Sequence, residues 1–183
     1  MDWYTLVKFI HIVAAMFWLG GGFAMLVLGE KALRGNDPAE MLRFMRTING
    51  LALPLFIPAS LTVLVTGLTM ATLWLGFSDA WLVLALAGIA ASLGIGMGFV
   101  KPVGDRIEER GQRDGASPAV MADANRLARV GRFDYAIMLS IVALMVFKPS
   151  WQDTGVLFTL GVLLAVAAAL FLVPRRGRAV AAA

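Results

Sequence analysis

No cysteine occurs in the sequence, which excludes disulfides, thiolate metal centres and a cysteine nucleophile. Histidine occurs once. A zinc site wants three or four nitrogen, sulfur or oxygen ligands, for which a lone histidine is a poor start, and a bis-imidazole haem lacks its second ring; no metal site is expected, while single-histidine haem ligation stays open. Charge is also scarce, at 15% of residues against 60% apolar ones, too little polar surface to cover a soluble core. P-loop, HExxH and GxSxG motifs are missing. Gly94-Ile95-Gly96-Met97-Gly98 lies inside an apolar run with no strand before it, which marks helix packing rather than a nucleotide loop. The ten methionines are scattered without a Met-x-x-Met run and serve as apolar filling rather than as soft-metal ligands.

What is present is long apolar blocks. A bilayer core of about 30 Å needs about 20 helical residues. Five segments qualify: 4–28, 48–75, 80–100, 133–147 and 155–173. The first lacks a basic start and a small-residue cleavage site, so it is expected to be a retained span rather than a signal peptide. The fourth is short and contains Asp134, but charge placement supports it. If all five cross, fourteen of the sixteen Lys and Arg residues fall on one side, leaving only Lys8 and Lys148 near the other. The positive-inside rule then places the N-terminus outside, and the C-terminus with a short basic, Ala-rich tail (175–183) in the cytoplasm. Trp3, Tyr4, Trp74, Trp81 and Trp151 all fall at the outer interface of this scheme, and Trp18 alone lies mid-membrane. The expectation is an all-α polytopic bundle, one membrane domain over residues 1–174, multi-pass in a bacterial cytoplasmic (inner) membrane. The net charge of +4 then belongs beside lipid headgroups, with no nucleic-acid partner implied.

The basic gaps carry helix signals. Asp37-Pro38-Ala39-Glu40 is a capped start, and Ser117-Pro118 opens a helix expected to run into segment four. Gly111 to Gly115 is the expected break between them. Segment three has two ridges of small residues, Gly88/Ser92/Gly96 and Ala87/Ala91/Gly94/Gly98, which suggests a central helix with neighbours on both sides. Pro54 and Pro58 predict a distortion in segment two. Thr62, Thr66 and Thr69 share a face, with hydroxyls that can bond to backbone carbonyls.

His11 is the main candidate for chemistry. It shares a helical stripe with Lys8, Trp18 and Gly22 and lies roughly 10 Å along the helix from Tyr4. Ionisable groups at that depth usually face a bundle interior or a cavity. The topology brings Asp79, Lys148 and Asp153 to the same level, so a polar pocket of His11, Lys148, Asp79 and Asp153 is expected; the bland alternative is a neutral histidine bonded to a neighbouring helix. Asp134, flanked by Arg132 and Tyr135, reads most simply as a membrane entry with a local ion pair, and otherwise as a transport residue.

Lys8-Phe9-Ile10-His11 followed by Trp18-Leu19-Gly20-Gly21, and Phe147-Lys148-Pro149 after segment four, resemble an uncharacterised family of small bacterial predicted integral membrane proteins. The likeness covers Leu6 to Pro149, with segment five as an extra helix. The same first helix and terminal Lys-Pro are more distantly similar to HemJ-type protoporphyrinogen oxidase, although Gly29-Glu30-Lys31 stands where that family has a Leu-Pro-Arg stretch and another histidine. That resemblance implies haem or porphyrin handling, with His11 as ligand and Lys148 and Trp18 as further cofactor-binding residues. The copper-resistance CopD membrane domain shares the His then Trp-x-Gly-Gly pattern, without enough ligands here for copper. Three readings follow: a membrane protein acting through helix packing or membrane-protein partners, a haem- or porphyrin-linked redox protein, and a small proton- or solute-translocating homo-oligomer.

Overall fold

The computed structural model describes residues 2–35 and 37–173; the expected basic tail at 175–183 lies outside them. Among the described residues there is no strand, and five helices are long and apolar enough to cross a membrane. The first, α1 (Trp3–Arg34), starts on an Asp2 cap whose carboxylate accepts the Tyr4 amide. Next come α2 (Pro38–Leu51), α3 (Ile57–Met70), α4 (Ala80–Ile95), α5 (Lys101–Asp114), α6 (Pro118–Phe147) and α7 (Thr154–Phe171).

Two of the joints are π-helical turns rather than breaks. The turn at Ala52–Phe56 links α2 to α3, and the turn at Gly96–Val100 links α4 to α5. Each contains the residue four places before a proline: Pro54 before Pro58, and Gly98 before Pro102. A proline has no amide hydrogen for that carbonyl and its ring crowds it. Widening the ladder there keeps the helix continuous. A third π turn, Ala71–Leu75, closes with the Gly76 amide on the Ala71 carbonyl at 2.8 Å. Gly76 there takes φ 79°, a conformation that glycine adopts at no steric cost.

The helices are longer than the apolar runs. Ala80–Asp114 spans 35 residues, about 52 Å at 1.5 Å per residue, against an apolar layer of about 30 Å. The excess gathers at the end where the cations lie, the basic end. There α2, α5 and the first half of α6 enclose a second core of Met41, Met45, Ile107, Val120, Ala124 and Leu127, joined by Ala32 of α1. Gly111 is not the break expected from its sequence. It lies within α5, where an added Cβ would stand 2.9 Å from Leu42 of α2, and the chain turns instead at Gly115, with φ 64°.

The opposite, aromatic end is tied by side chains. Tyr4 and Trp74 meet edge to face at 5.4 Å, and Trp151 Nε1 donates to the Ser78 carbonyl at 3.0 Å. The Trp81 amide at the start of α4 donates to the Pro149 carbonyl at 3.2 Å.

Within the apolar layer the hub is α6, not α4. Helix α6 packs against α1, α4 and α7, while α1 also packs along α3. Of the two ridges on α4, one is used. Gly88 faces Ile141 and Ile137 of α6, and Ser92 is buried. On the other ridge Ala87, Ala91, Gly94 and Gly98 are all exposed. Small residues show where a backbone can be approached; they do not show on which ridge a neighbour sits. Helix α7 lies on the periphery, with little of its surface covered.

Candidate functional site

His11 sits against α3. Its Nδ1 lies 2.9 Å from Thr66 Oγ1, whose hydroxyl donates to the Thr62 carbonyl, so His11 is the donor between them. The close approach is made possible by Gly67, where an added Cβ would stand 3.4 Å from the ring. Such an interhelical bond stabilises a membrane bundle by about 0.6 kcal/mol on average. Thr62 and Thr69 bond backward to the Pro58 and Val65 carbonyls, both at 2.8 Å.

The other expected site residues have separate partners. Lys148 ends α6 in a left-handed conformation, φ 46°, with its amide on the Leu144 carbonyl. Its ammonium lies 5.4 Å from the centre of the Trp81 ring. Asp153 accepts the Ser150 amide at 2.7 Å and its hydroxyl at 2.8 Å, bonds that hold its carboxyl below the usual range. Asp79 is exposed before α4, and its side chain caps nothing. Among the described residues no hydrogen bond or ion pair joins His11, Lys148, Asp79 and Asp153 to one another. With Nδ1 donating to Thr66, Nε2 is the ring nitrogen left for any further partner.

The chemistry converges elsewhere. A cavity of about 490 Å³ runs from Trp18, halfway along α1, to Glu30 and Lys101 at the basic end, within the usual range of about 300–1,000 Å³ for ligand pockets. Its walls are mainly apolar, with Trp18, Met25, Phe56, Tyr135 and Met138 contributing. Both proline-associated π turns line it, through Phe56 and through Gly96, Met97 and Val100. Such turns recur at functional sites. Gly22 lets Tyr135 approach, at 3.4 Å from where a Cβ would be, which brings α6 against α1.

Three polar groups mark the cavity. At the basic end, Glu30 of α1 pairs with Arg132 of α6 and, at 2.9 Å, with Arg34. Across from it, Asn49 of α2 donates to Asp105 at 3.0 Å and Glu108 at 2.7 Å, and Lys101 pairs with Asp105. Further in is Asp134. Its Oδ1 is buried and has no hydrogen-bond partner, and the buried Ser92 of α4 is its polar neighbour. An ionised carboxylate in apolar surroundings costs several kcal/mol unless matched, so this group calls for a proton or a cation. Of the residues singled out from the sequence as cofactor-binding, Trp18 alone lines this cavity. Asp134 carried a visible signal, a carboxylate inside an apolar segment, but its neighbours come from distant helices.

A family model described as a predicted integral membrane protein (DUF2269) matches residues 5–149. Neither a curated protein nor a solved structure shows a significant match. The matched stretch takes in α1 from Thr5 onward, α2 to α6 and every residue lining the cavity, while peripheral α7 lies outside it. The chain belongs to the DUF2269 family of predicted integral membrane proteins.

Proposed function

We propose that this protein is a five-span inner-membrane protein that binds a small amphipathic solute carrying a cationic group, with Asp134 as the residue that recognises it. The basic end faces the cytoplasm in this reading, because the positive-inside rule sets orientation and the cations cluster there. One observation carries the functional proposal: the unpartnered Asp134 Oδ1 on the wall of an apolar cavity. Trp18, Phe56 and Tyr135 offer aromatic surface for the apolar part of the solute and favour a cation among them. Binding is the step this supports, and solute translocation follows from it only if the cavity also opens toward the aromatic end.

Tetraphenylphosphonium, a bulky apolar cation, is a suitable probe, with tetraphenylborate as its anionic counterpart. The detergent-purified chain is expected to bind the cation saturably and to discriminate against the anion. A hydrogen-bonded or paired charge contributes about 1.5–3 kcal/mol, so Asp134→Asn should weaken binding by at least about tenfold. Equal binding by Asp134→Asn, a preference for tetraphenylborate, or no saturable binding would each defeat the proposal.

A further inference from the structure

We propose that a groove beside the cavity, along the basic end of α1, is a binding site for the phosphate headgroup of an anionic phospholipid. The groove has a volume of about 770 Å³ and is lined by Leu26, Val27, Glu30, Lys31 and Arg34, with Arg132 of α6 closing one side. Its charge is unbalanced, with three cations against one carboxylate. Glu30 lies between the two guanidinium groups and binds both Arg34 and Arg132, which fixes them while leaving each with spare N–H donors. Lys31 has no ion-pair partner among the described residues.

The apolar floor identifies the source of the phosphate. Leu26 and Val27 lie one turn before the cations on the same helix, and Val27 is exposed. A free phosphate has no use for such a floor, whereas a phospholipid lays its acyl chains there while its headgroup meets the cations. Basic pockets at the ends of membrane helices recognise anionic headgroups in this way. The inference is independent of Asp134, although Leu26, Glu30 and Arg132 also line the cavity and form the wall between the two.

Spin-labelled lipids test it, with the full chain in phosphatidylcholine bilayers. Labelled phosphatidylglycerol is expected to be motionally restricted in preference to labelled phosphatidylcholine, by about fivefold or more in relative association constant. Lys31→Gln with Arg34→Gln, both at exposed positions, should bring that ratio close to one. Arg43→Gln with Arg46→Gln, which removes the same charge from α2 outside the groove, should leave it intact. No preference in the native chain, or equal loss in the α2 variant, would overturn the site. Millimolar inorganic phosphate abolishing the preference would overturn its assignment to lipid.

Discussion

Replacing Gly88 with leucine is expected to unfold the bundle in detergent, whereas the same replacement at Gly94, six residues further along α4 on the other ridge, should leave the melting temperature nearly unchanged. At Gly88 even a Cβ would stand 2.8 Å from Ile141 Cγ1 and 3.2 Å from its Cδ1. Ile141 is buried against α4 and cannot swing away. Overpacking a dense interface by a few methylenes typically costs about 1–3 kcal/mol. Here a whole side chain would separate the two helices that meet most extensively on α4. Around Gly94, by contrast, there is nothing within 4 Å of the added atom. Gly88→Ala combined with Ile141→Ala should be less destabilising than the sum of the two single changes, because alanine at 141 removes the Cγ1 that the new methyl would meet. Equal effects at Gly88 and Gly94 would show that α4 does not pack through the Gly88 ridge.

Ile107→Ala is expected to destabilise the protein by about 2–5 kcal/mol, the range for emptying a well-packed core position. Ile107 is 1% exposed in the core at the basic end. The helices there extend past the apolar layer, so their burial is driven by water in the ordinary way. Leu163→Ala on α7 should have little effect, because Leu163 is 58% exposed and exchanges one apolar neighbour for another in lipid. Equilibrium unfolding in mixed micelles measures both. A comparable loss at the two positions would mean that the basic end has no core of its own.

The parts of the fold legible in the sequence are those imposed by the solvent. Lipid demands apolar runs of fixed length, so the segments around Leu19, Val65, Ile89, Val142 and Leu164 stand out one by one. Helix continuity was less visible. Ser117-Pro118 announces the long α6, whereas the apolar run of segment three stops at Val100 although the helix continues through Lys101-Pro102, because a π turn absorbs the proline. The hub could not be read from ridges of small residues, since Gly88 and Gly94 look alike until a neighbour is placed beside one of them. The site was hidden for a related reason. His11 stands out as the single histidine, and its Nδ1 is bonded to Thr66 of the neighbouring α3 rather than to the other residues expected around it. Asp134 acquires its meaning from Ser92, Trp18 and Phe56, which three other segments bring to it.

The central claim is that Asp134 faces a cavity that admits a cationic solute. The natural absence of cysteine makes a direct measurement simple, because Ser92→Cys places a single thiol beside Asp134. That thiol should react with N-ethylmaleimide, and tetraphenylphosphonium should protect it, while Asp114→Cys, exposed at the basic end beyond the apolar layer, should react without protection. A Ser92→Cys thiol that stays unreactive, or reacts equally fast with the cation present, would contradict the account.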